Sequence, residues 1–543
     1  MARSPLFAQV SRALQLAHYC ERHGLSTSEG LARLRDAEAA HASRLRTRRE
    51  WLTTVMRAGA AGAAAAIAAP TARLGAITQK KNPSLDVGIV GAGLAGLACA
   101  DRLASRGVAA HVYETSARVG GRVHSLPGLF PGQVAERGGE FIDNPHKVML
   151  GYARRFDLAT EDVLKLPGDV VYYFNNQFVP EIDIVDEFRE FVAAMRVDLR
   201  TLSSEPSALT HNDADVAIDQ ISLLAYLEGA NGSGVVAGPN AKAAIAEAYV
   251  AEYGLEPDEQ SCLNFLLFIH ADRRSKFTPF GVSDERYHLL DGNDVITTRL
   301  AQSLPRVIEH GMRLTRVRKT SSGAIELSFE TPGGPVTRTH DAAVIAMPFT
   351  TLRDVDLDAN LNLPAAQRAA IANLGYGMNA KMMVGFTSRP WLADGSNGGA
   401  YADLEHLQTT WETNPTRATA TRAIITDYSG GDRGAALDPA NVNVEAGLFV
   451  AALDKVYPGA QAAARRVGGQ IVAHLEHWPT NPLTRGSYTS YKPGQFTTIA
   501  GLEGLPAGNL FFAGEHANSF YEWQGFMEGA ALSGIDAAQA LLR

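Results

Sequence analysis

The stretch Gly91-Ala92-Gly93-Leu94-Ala95-Gly96 follows the apolar run 85–90 and opens a segment, 94–105, that is typical of a helix. The first glycine allows a tight turn, the second lets the backbone approach a pyrophosphate, and the third lets the helix pack close to the strand. The positive N-terminal end of that helix suits phosphate groups. Glu114 ends the next strand-like segment, 23 residues after Gly91, where a carboxylate accepts a hydrogen bond from a ribose hydroxyl. The stretch therefore predicts a βαβ dinucleotide site in an α/β protein.

Two glycine pairs and two arginines follow the second predicted strand. The first group is Arg118-Val119-Gly120-Gly121-Arg122, and the second glycine pair lies in the segment 136–143. Guanidinium groups beside exposed backbone suit a second contact with a pyrophosphate. An NAD site does not need this extension, whereas a buried FAD does, so these segments favour FAD.

The C-terminal region adds an acid at the end of a predicted buried strand, 510–516. Glu515 follows Gly514 there, and a helix rich in small residues is predicted to open at 523–530 and to run to about Leu541. Two-electron reduction places negative charge on the pyrimidine edge of a flavin, and a helix N-terminus stabilises such charge. A terminal helix that merely packs on a sheet would explain the small residues but not the acid.

With these motifs the chain resembles the flavin amine oxidase family, which includes monoamine oxidases, polyamine oxidases and L-amino-acid oxidases, over roughly residues 84 to 543. The resemblance implies a Rossmann-like FAD-binding domain made of 84–144, 286–347 and 482–543. It also implies a discontinuous α+β substrate-binding domain made of 145–285 and 348–481. The residues it assigns to FAD are Gly91, Ala92, Gly93, Leu94, Ala95, Gly96, Glu114, Arg118, Gly120, Gly121, Arg122, Gly138, Gly139, Glu140, Phe141, Leu314 (backbone to adenine), Gly514, Glu515, Gly525, Phe526 and Met527.

Lys381 is the leading catalytic candidate. It lies in a strand-like run, 379–386, that is apolar on both faces, and lysine is rarely buried without a partner. One interpretation is a strand-edge lysine whose amine reaches water. The resemblance implies instead that this lysine holds a water near flavin N5.

The segment 486–491 resembles the family segment that can carry the cysteine of a covalent flavin bond. Ser487 stands at that place, so a thioether cannot form and we expect FAD to be non-covalent. Tyr488 and Phe526 match the two aromatic walls that flank the amine in front of the flavin. Ordinary core packing is the alternative role for both rings.

Phe141 bears on the substrate class. The L-amino-acid oxidase branch often has an arginine at this place to hold the substrate carboxylate, and a lost guanidinium–carboxylate pair is costly. The residues therefore favour oxidative deamination of an amine without a carboxylate. The resemblance implies hydride transfer to the flavin, imine hydrolysis and reoxidation by O2, giving H2O2, or by a redox protein.

Three alternatives stay open. One is an L-amino-acid oxidase of the same fold. Another is a non-catalytic, nucleotide-fold escort protein, against which Arg118, Arg122, Lys381 and Glu515 argue together. The third is a carotenoid-type desaturase, against which the Tyr488/Phe526 pair and the lack of an obvious amphipathic membrane helix argue.

The N-terminal extension, residues 1–75, differs from the rest in charge. Residues 1–70 hold ten arginines and five acids, net +5, which leaves −13 for the remainder of a chain whose net charge is −8. Arg48 and Arg49 precede an apolar pair and an alanine-rich stretch, with a small-residue cleavage site at 66–68. This resembles a twin-arginine export signal and predicts a periplasmic or secreted protein. An alanine-rich helix in a cytoplasmic protein is the alternative.

Composition sets broad limits. The 543 residues predict two or three domains. No apolar run approaches the ~20 residues of a membrane span, and no basic stripe with aromatics indicates nucleic-acid binding. Cys20, Cys99 and Cys262 show no disulfide framework, and no metal-binding motif is found. The sequence leaves a homodimer open.

Overall fold

The computed structural model describes residues 85–272, 284–518 and 523–543, together with residues 13, 16, 17 and 19–33 near the N-terminus. The twin-arginine motif at 48–49 and the expected cleavage site at 66–68 lie outside the described residues. The predicted division into an FAD-binding and a substrate-binding domain stays a prediction, and the sheets are therefore described separately.

The strands in chain order are β1 (Val87–Val90), β2 (His111–Glu114), β3 (Ser125–Leu126), β4 (Ala135–Glu136), β5 (Thr160–Asp162), β6 (Asp169–Phe174), β7 (Gln177–Phe178), β8 (Tyr287–Leu289), β9 (Glu309–His310), β10 (Arg313–Lys319), β11 (Ile325–Thr331), β12 (Gly334–His340), β13 (Ala342–Ile345), β14 (Asp356–Leu357), β15 (Ala380–Phe386), β16 (Ser396–Leu404), β17 (Leu407–Glu412), β18 (Ala423–Ser429), β19 (Arg466–Val467), β20 (Gln470–Ile471), β21 (Ala473–His477) and β22 (Leu510–Phe512).

The helices in chain order are α1 (Leu94–Ala104), α2 (Lys147–Arg155), α3 (Glu181–Leu199), α4 (Asp213–Asp219), α5 (Leu223–Leu227), α6 (Pro239–Tyr253), α7 (Leu263–Asp272), α8 (Asp294–Ser303), α9 (Phe349–Leu352), α10 (Ala365–Asn373), α11 (Gly431–Ala436), α12 (Val442–Val456), α13 (Ala460–Ala463), α14 (Gln495–Thr498) and α15 (Met527–Leu541). None of the helices in the described ranges combines the length and apolarity that spanning a bilayer requires.

A five-stranded sheet carries the predicted dinucleotide motif. Its order is β22-β13-β1-β2-β9, and every neighbouring pair is parallel. Strands β1 and β13 are buried along their whole length, as expected for a parallel sheet covered on both faces. The predicted βαβ unit is therefore confirmed as β1-α1-β2.

Helix α15 packs on α1 at a contact that requires glycine. A Cβ atom at Gly534 would lie 2.0 Å from the carbonyl oxygen of Ala95, so any side chain there would push the helices apart. The Glu528 carboxylate of α15 accepts hydrogen bonds from the Val148 and Met149 N–H groups at the start of α2. Helix α15 begins at Met527 rather than near 523, because Gly525 before it has a left-handed φ of 82°.

A seven-stranded sheet has the order β21-β15-β18-β17-β16-β6-β7. Strand β18 and the catalytic candidate's strand β15 are buried along their whole length. Strands β6 and β7 belong to this sheet, although the segment 145–285 in which they lie is otherwise mainly helical. Segment 169–174 is rich in β-branched and aromatic residues, which favour a strand.

A smaller sheet, ordered β12-β11-β10-β14, contains the antiparallel pair β10-β11, in which Leu314 pairs with Phe329. Three further two-stranded pairs, β19-β20, β3-β4 and β5-β8, complete the sheets in the described ranges.

The described residues between 13 and 33 pack on helix α3. Leu16 and Cys20 lie in the same buried apolar core as Phe188 of α3, and Arg189 donates to the carbonyl oxygen of Leu25 at 2.7 Å. Chain upstream of the arginine-rich motif therefore belongs to the folded body.

Candidate active site

A cavity of about 480 Å³ lies where the parallel strands end. It is bounded by the residues that follow the carboxyl ends of β1, β2, β13 and β22, where ligands bind in open α/β sheets. The sequence-predicted residues that line it are Gly91, Gly93, Leu94, Ala95, Glu114, Arg118, Gly120, Gly121, Arg122, Gly138, Gly139, Glu140, Phe141, Leu314, Lys381, Tyr488, Gly514, Glu515, Gly525, Phe526 and Met527.

The glycine turn has the geometry that the motif requires. Gly91 has a left-handed φ of 103°. A Cβ atom at Gly96 would lie 2.0 Å from the carbonyl oxygen of Gly91, whereas at Gly93 the nearest atom would be the Gly121 Cα at 4.0 Å. The third glycine thus allows close packing of the helix, and the second faces open space in which a phosphate fits.

Ala92 and Gly96 were assigned to the cofactor but do not line the cavity. The Ala92 N–H donates to Glu114 Oε2 at 2.8 Å, and the Ser116 N–H donates to Glu114 Oε1 at 2.8 Å. These two backbone groups fix the carboxylate at the end of β2, where it lines the cavity. Ala92 therefore positions Glu114, and the expected bond from Glu114 to a ribose hydroxyl stays a prediction.

Arg122 and Glu515 form an ion pair across the cavity. Arg122 Nη1 lies 2.8 Å from Glu515 Oε1, and the Thr489 hydroxyl donates to Glu515 Oε2 at 2.8 Å. Burial alone would raise the pKa of Glu515, but Arg122, His516 and Thr489 outweigh it and hold that pKa below its usual value. The carboxylate is therefore ionised at neutral pH and can accept hydrogen bonds from hydroxyl groups of a ligand.

Arg118 uses two of its N–H groups within its own loop. Its Nη1 and Nη2 atoms donate to the carbonyl oxygens of Val119 and Gly121, at 3.1 and 2.6 Å. These bonds hold the loop and the guanidinium beside the glycine turn. The predicted contact of Arg118 with a pyrophosphate stays a prediction.

Lys381 is buried, with 5% of its surface exposed, so the strand-edge interpretation in which its amine reaches water is wrong. Its Nζ donates to Glu140 Oε2 at 2.8 Å, to the Gly138 carbonyl at 2.9 Å and to the Glu136 carbonyl at 3.3 Å. An ammonium has three protons, and three protein acceptors face them. A water would replace the longest of these contacts, that with Glu136, so the water-holding role stays a prediction.

Aromatic rings form the end of the cavity next to Lys381. Phe141 contacts Trp411 edge to face, with 5.7 Å between ring centroids, and the Lys381 Nζ lies 5.5 Å from the Trp411 ring. The Tyr428 hydroxyl donates to the Tyr488 hydroxyl at 2.9 Å. These rings surround an ammonium with π-faces, an arrangement that attracts cations.

Phe526, the other predicted aromatic wall, lines the same cavity just before helix α15. Its ring packs edge to face on His146, with 5.4 Å between ring centroids. Tyr488 donates to the backbone carbonyl of Glu252 at 2.6 Å. Both predicted aromatic walls thus line one cavity. The Phe526 ring is held by His146, and the Tyr488 hydroxyl is held by the backbone of Glu252.

Ser487 is buried, and its hydroxyl donates to Asn379 Oδ1 at 2.5 Å. Arg122 Nη1 donates to the Ser487 carbonyl at 2.7 Å. Ser487 thus links Asn379, which lies just before strand β15, to Arg122 of the Arg122–Glu515 pair. It offers no thiol for a bond to a flavin.

Sequence reasoning missed many of the residues that line the cavity, among them Glu285, Trp411, Tyr428 and Trp478. Trp411 and Tyr428 belong to strands β17 and β18. The β-branched and aromatic residues of these segments could have predicted the strands. The register of strand pairing, which places Tyr428 opposite Lys381, could not be predicted from the sequence.

The residues present fit FAD. Gly93 faces open space at the N-terminus of α1, and two hydrogen-bonded acids, Glu114 and Glu515, line the same cavity. This donor and acceptor set suits a ligand that carries both a pyrophosphate and hydroxyl groups. The fold and the cavity together define a dinucleotide-binding flavoprotein.

The chain belongs to the flavin-containing amine oxidoreductases, because that family's model matches residues 94–542. It is 24% identical over 468 residues to the putative L-amino-acid oxidase YobN of Bacillus subtilis (strain 168), covering 84% of this chain and 94% of that one. It is 21% identical to the L-amino-acid oxidase of Notechis scutatus scutatus, covering 86% and 88% of the two chains.

Among solved structures, the fold is similar to that of cyclohexylamine oxidase from Brevibacterium oxydans IH-35A. The TM-score is 0.68 at 21% identity, covering 85% of this chain and all of that one. It is also similar to wild-type putrescine oxidase bound to putrescine, with a TM-score of 0.66 at 18% identity, covering 84% and 99%. The protein is thus an FAD-dependent oxidoreductase that acts on amines.

Proposed function

We propose that the physiological substrate is an amine without an α-carboxylate. The observation that carries the proposal is Phe141, which is buried against Trp411 at the place where a carboxylate-binding arginine was expected. Glu140, which follows the second glycine pair, places a further negative charge beside Lys381. Among the described residues at this end, a substrate carboxylate would find no guanidinium group that is free to pair with it.

L-amino-acid oxidation is the second candidate. It is supported by the names of the two sequence relatives described above. At 24% identity or less, the fold is retained while a substrate pocket can change. The choice of substrate class is therefore based on the residues at the aromatic end of the cavity rather than on the names of the relatives.

The chain's residues bind and orient the amine. FAD, when bound, accepts the hydride that leaves the carbon of the carbon–nitrogen bond. Tyr488 and Phe526 hold the amine in a slot that excludes water, which fixes the reacting orientation. Lys381, fixed by Glu140, keeps a positive charge beside the slot, where negative charge is stabilised.

An anaerobic screen tests the proposed substrate class. The purified protein is mixed with a panel of primary, secondary and diamine substrates and with L-amino acids, and flavin bleaching is followed. Bleaching by at least one amine is expected. Bleaching by α-amino acids alone would transfer the assignment to the second candidate. Peroxide formation and dye reduction, measured in parallel, identify the electron acceptor, either O2 or a redox protein.

The FAD is proposed to be non-covalent, because Ser487 cannot form a thioether. Acid precipitation should then release the yellow flavin into the supernatant. Flavin that remains in the protein pellet would show a covalent bond at another residue.

Export through the twin-arginine route is proposed from Arg48 and Arg49, which belong to a signal read by a receptor. The double change of both arginines to lysine should retain the protein in the cytoplasm of the native host. Equal periplasmic amounts of both forms would contradict the proposal.

A further inference from the structure

His146 is a buried histidine that contacts the predicted wall Phe526 from behind. None of its surface is exposed, and it is not among the residues that bound the cavity. Its ring meets the Phe526 ring edge to face, with 5.4 Å between centroids, and it meets the Trp523 ring in the same way at 4.7 Å. Trp523 in turn contacts Phe526 at 6.1 Å. Of these three packed rings, Phe526 is the one that lines the cavity.

Asp143 fixes the orientation of the His146 ring. The Asp143 N–H donates to His146 Nδ1 at 2.9 Å, so Nδ1 carries no hydrogen and the ring hydrogen lies on Nε2. That Nε2 atom is 3.5 Å from Asp143 Oδ2. A flip of the ring would put a carbon atom where Nδ1 accepts, so the hydrogen bond selects one orientation. The other carboxylate oxygen of Asp143 accepts the N–H of Glu285 at 2.8 Å, so Asp143 also holds a second segment of the cavity wall.

The His146 ring is neutral. Burial lowers the pKa of His146 to about 3, and the Asp143 N–H already occupies the Nδ1 position at which a second proton would bind. A positive ring behind Phe526 would repel the ammonium form of an approaching amine. The neutral ring supports the wall without adding that charge.

Helix α15 ties the start of α2 to the turn that carries Phe526. The Glu528 carboxylate of α15 accepts hydrogen bonds from two N–H groups of α2, at 2.8 and 2.9 Å, and α2 begins directly after His146. The Phe526 N–H donates to the Trp523 carbonyl at 3.1 Å, which closes the turn before α15. His146 is therefore held in register with the ring that it supports.

We propose that His146 is a positioning residue for amine oxidation, which acts by holding the Phe526 ring where the bound amine has its reacting orientation. The inference rests on the proposed slot between Tyr488 and Phe526. It goes beyond the proposed substrate class, because the wall is needed for amines with and without an α-carboxylate. Small displacements of a group that positions a substrate have large effects on rate.

A double-mutant cycle tests whether His146 acts through Phe526. The limiting rate of anaerobic flavin reduction is measured for the wild type, His146→Asn, Phe526→Ala and the double variant, with the substrate that reduces the flavin fastest. Asparagine keeps an oxygen that can accept the Asp143 N–H but removes the ring. His146→Asn should slow reduction about tenfold to a hundredfold, the scale of a displacement of about 1 Å. The double variant should be slower than Phe526→Ala by no more than about threefold, because residues in contact are not additive.

Two further variants separate the ring contact from stability. His146→Phe keeps a ring but leaves the Asp143 N–H without its acceptor, so it should lower the thermal unfolding temperature, yet it should slow reduction only about twofold to fivefold. His340→Asn is the control, because His340 is also buried and is hydrogen-bonded with the Tyr113 hydroxyl at 2.9 Å, but it does not line the cavity or touch a residue that does so through its ring. This control should be destabilised with an unchanged reduction rate.

Two measurements on the same samples check that the cofactor and the binding step are retained. The flavin content of purified His146→Asn should equal that of the wild type. The apparent Kd of the substrate, taken from the concentration dependence of the reduction rate, should change by less than about threefold, because a reacting orientation is lost rather than a binding contact.

An unchanged reduction rate in His146→Asn would overturn the positioning role, as would a double variant slowed by the product of the two single effects. Equal slowing in His340→Asn would overturn it as well, since stability alone would then explain the effect. If His146→Asn does not fold, the same cycle is run with His146→Phe, and slowing that is fully retained beside Phe526→Ala would overturn the role. These outcomes leave the proposed function intact. An unchanged rate in Phe526→Ala would instead contradict the proposed slot, and the role of His146 with it.

Discussion

The two ends of the cavity are built in different ways. At the phosphate end, a short contiguous stretch supplies the turn, and backbone atoms make the contacts. Gly91 and Gly96 meet there within six residues of chain. At the aromatic end, Trp411 and Tyr428 lie on the paired strands β17 and β18, and Phe141 packs against Trp411 from a distant part of the chain. The first end depends on local sequence, and the second depends on tertiary structure.

Gly96→Ala should break the phosphate end and have the largest effect. A Cβ atom at this position would lie 2.0 Å from the carbonyl oxygen of Gly91, so helix α1 would have to move away from the turn. The flavin content after purification should fall about tenfold or more, equivalent to at least about 1.4 kcal/mol of lost FAD binding.

Gly447→Ala is the matched control. Gly447 lies inside helix α12, and nothing lies within 4 Å of a Cβ atom there. Alanine should stabilise the helix by up to about 1 kcal/mol and leave the flavin content unchanged. Full flavin content in Gly96→Ala would show that the turn tolerates a side chain.

Lys381→Met should remove the ion pair between Lys381 and Glu140. It leaves Glu140 buried without its cation, which costs about 3–5 kcal/mol of stability. Reoxidation of the reduced flavin by oxygen should slow by about tenfold or more, the scale of losing one preorganised charge. Denaturant unfolding measures the first effect, and stopped-flow analysis of the two half-reactions measures the second.

The double variant Lys381→Met/Glu140→Gln separates the two roles. Removing the orphaned charge should restore part of the stability, because the uncompensated carboxylate is gone. The slow reoxidation should persist. Normal reoxidation in the single variant, with oxygen and with a dye acceptor alike, would make Lys381 a purely structural residue.

Much of the phosphate end was predictable because its residues act through local backbone geometry. The strand–turn–helix unit, Glu114 and the Arg122/Glu515 set were all read from sequence and line one cavity. The aromatic end was predicted only where a resemblance supplied it, as for Lys381 and Tyr488. Trp411 and Glu285 were missed, since strand register and the packing of a loop against Asp143 are set by tertiary contacts.

Strand β6, which lies in the mainly helical segment 145–285, was not predicted for a related reason. Segment 169–174 becomes the strand β6 by pairing with β16, more than two hundred residues later in the chain. Helix signals are local, whereas the partner of an added strand is not visible from its own sequence.

Trp411→Phe tests the aromatic end of the cavity and should have the smallest effect of these variants. It removes the Nε1–H group that donates to Glu140 Oε1 at 3.0 Å and weakens the π-face near Lys381. Stability should fall by about 1–3 kcal/mol, and anaerobic flavin reduction by amines should slow by about twofold to fivefold.

Trp391→Phe is the control for that change. Trp391 also donates to a buried carboxylate, Glu412, at 3.1 Å, but it does not line the cavity. It should lose similar stability with an unchanged rate of flavin reduction. Equal rate effects in both variants would mean that the Trp411 result reports stability alone.

The most direct test of the central claim compares amines with their own α-carboxylated counterparts. Phenylethylamine is paired with L-phenylalanine, and isopentylamine with L-leucine, in anaerobic stopped-flow measurements of flavin bleaching. Because Phe141 and Glu140 leave a substrate carboxylate without a partner, at least one amine should bleach the flavin about tenfold or more faster than its amino acid. Faster bleaching by the amino acid in both pairs would contradict the account.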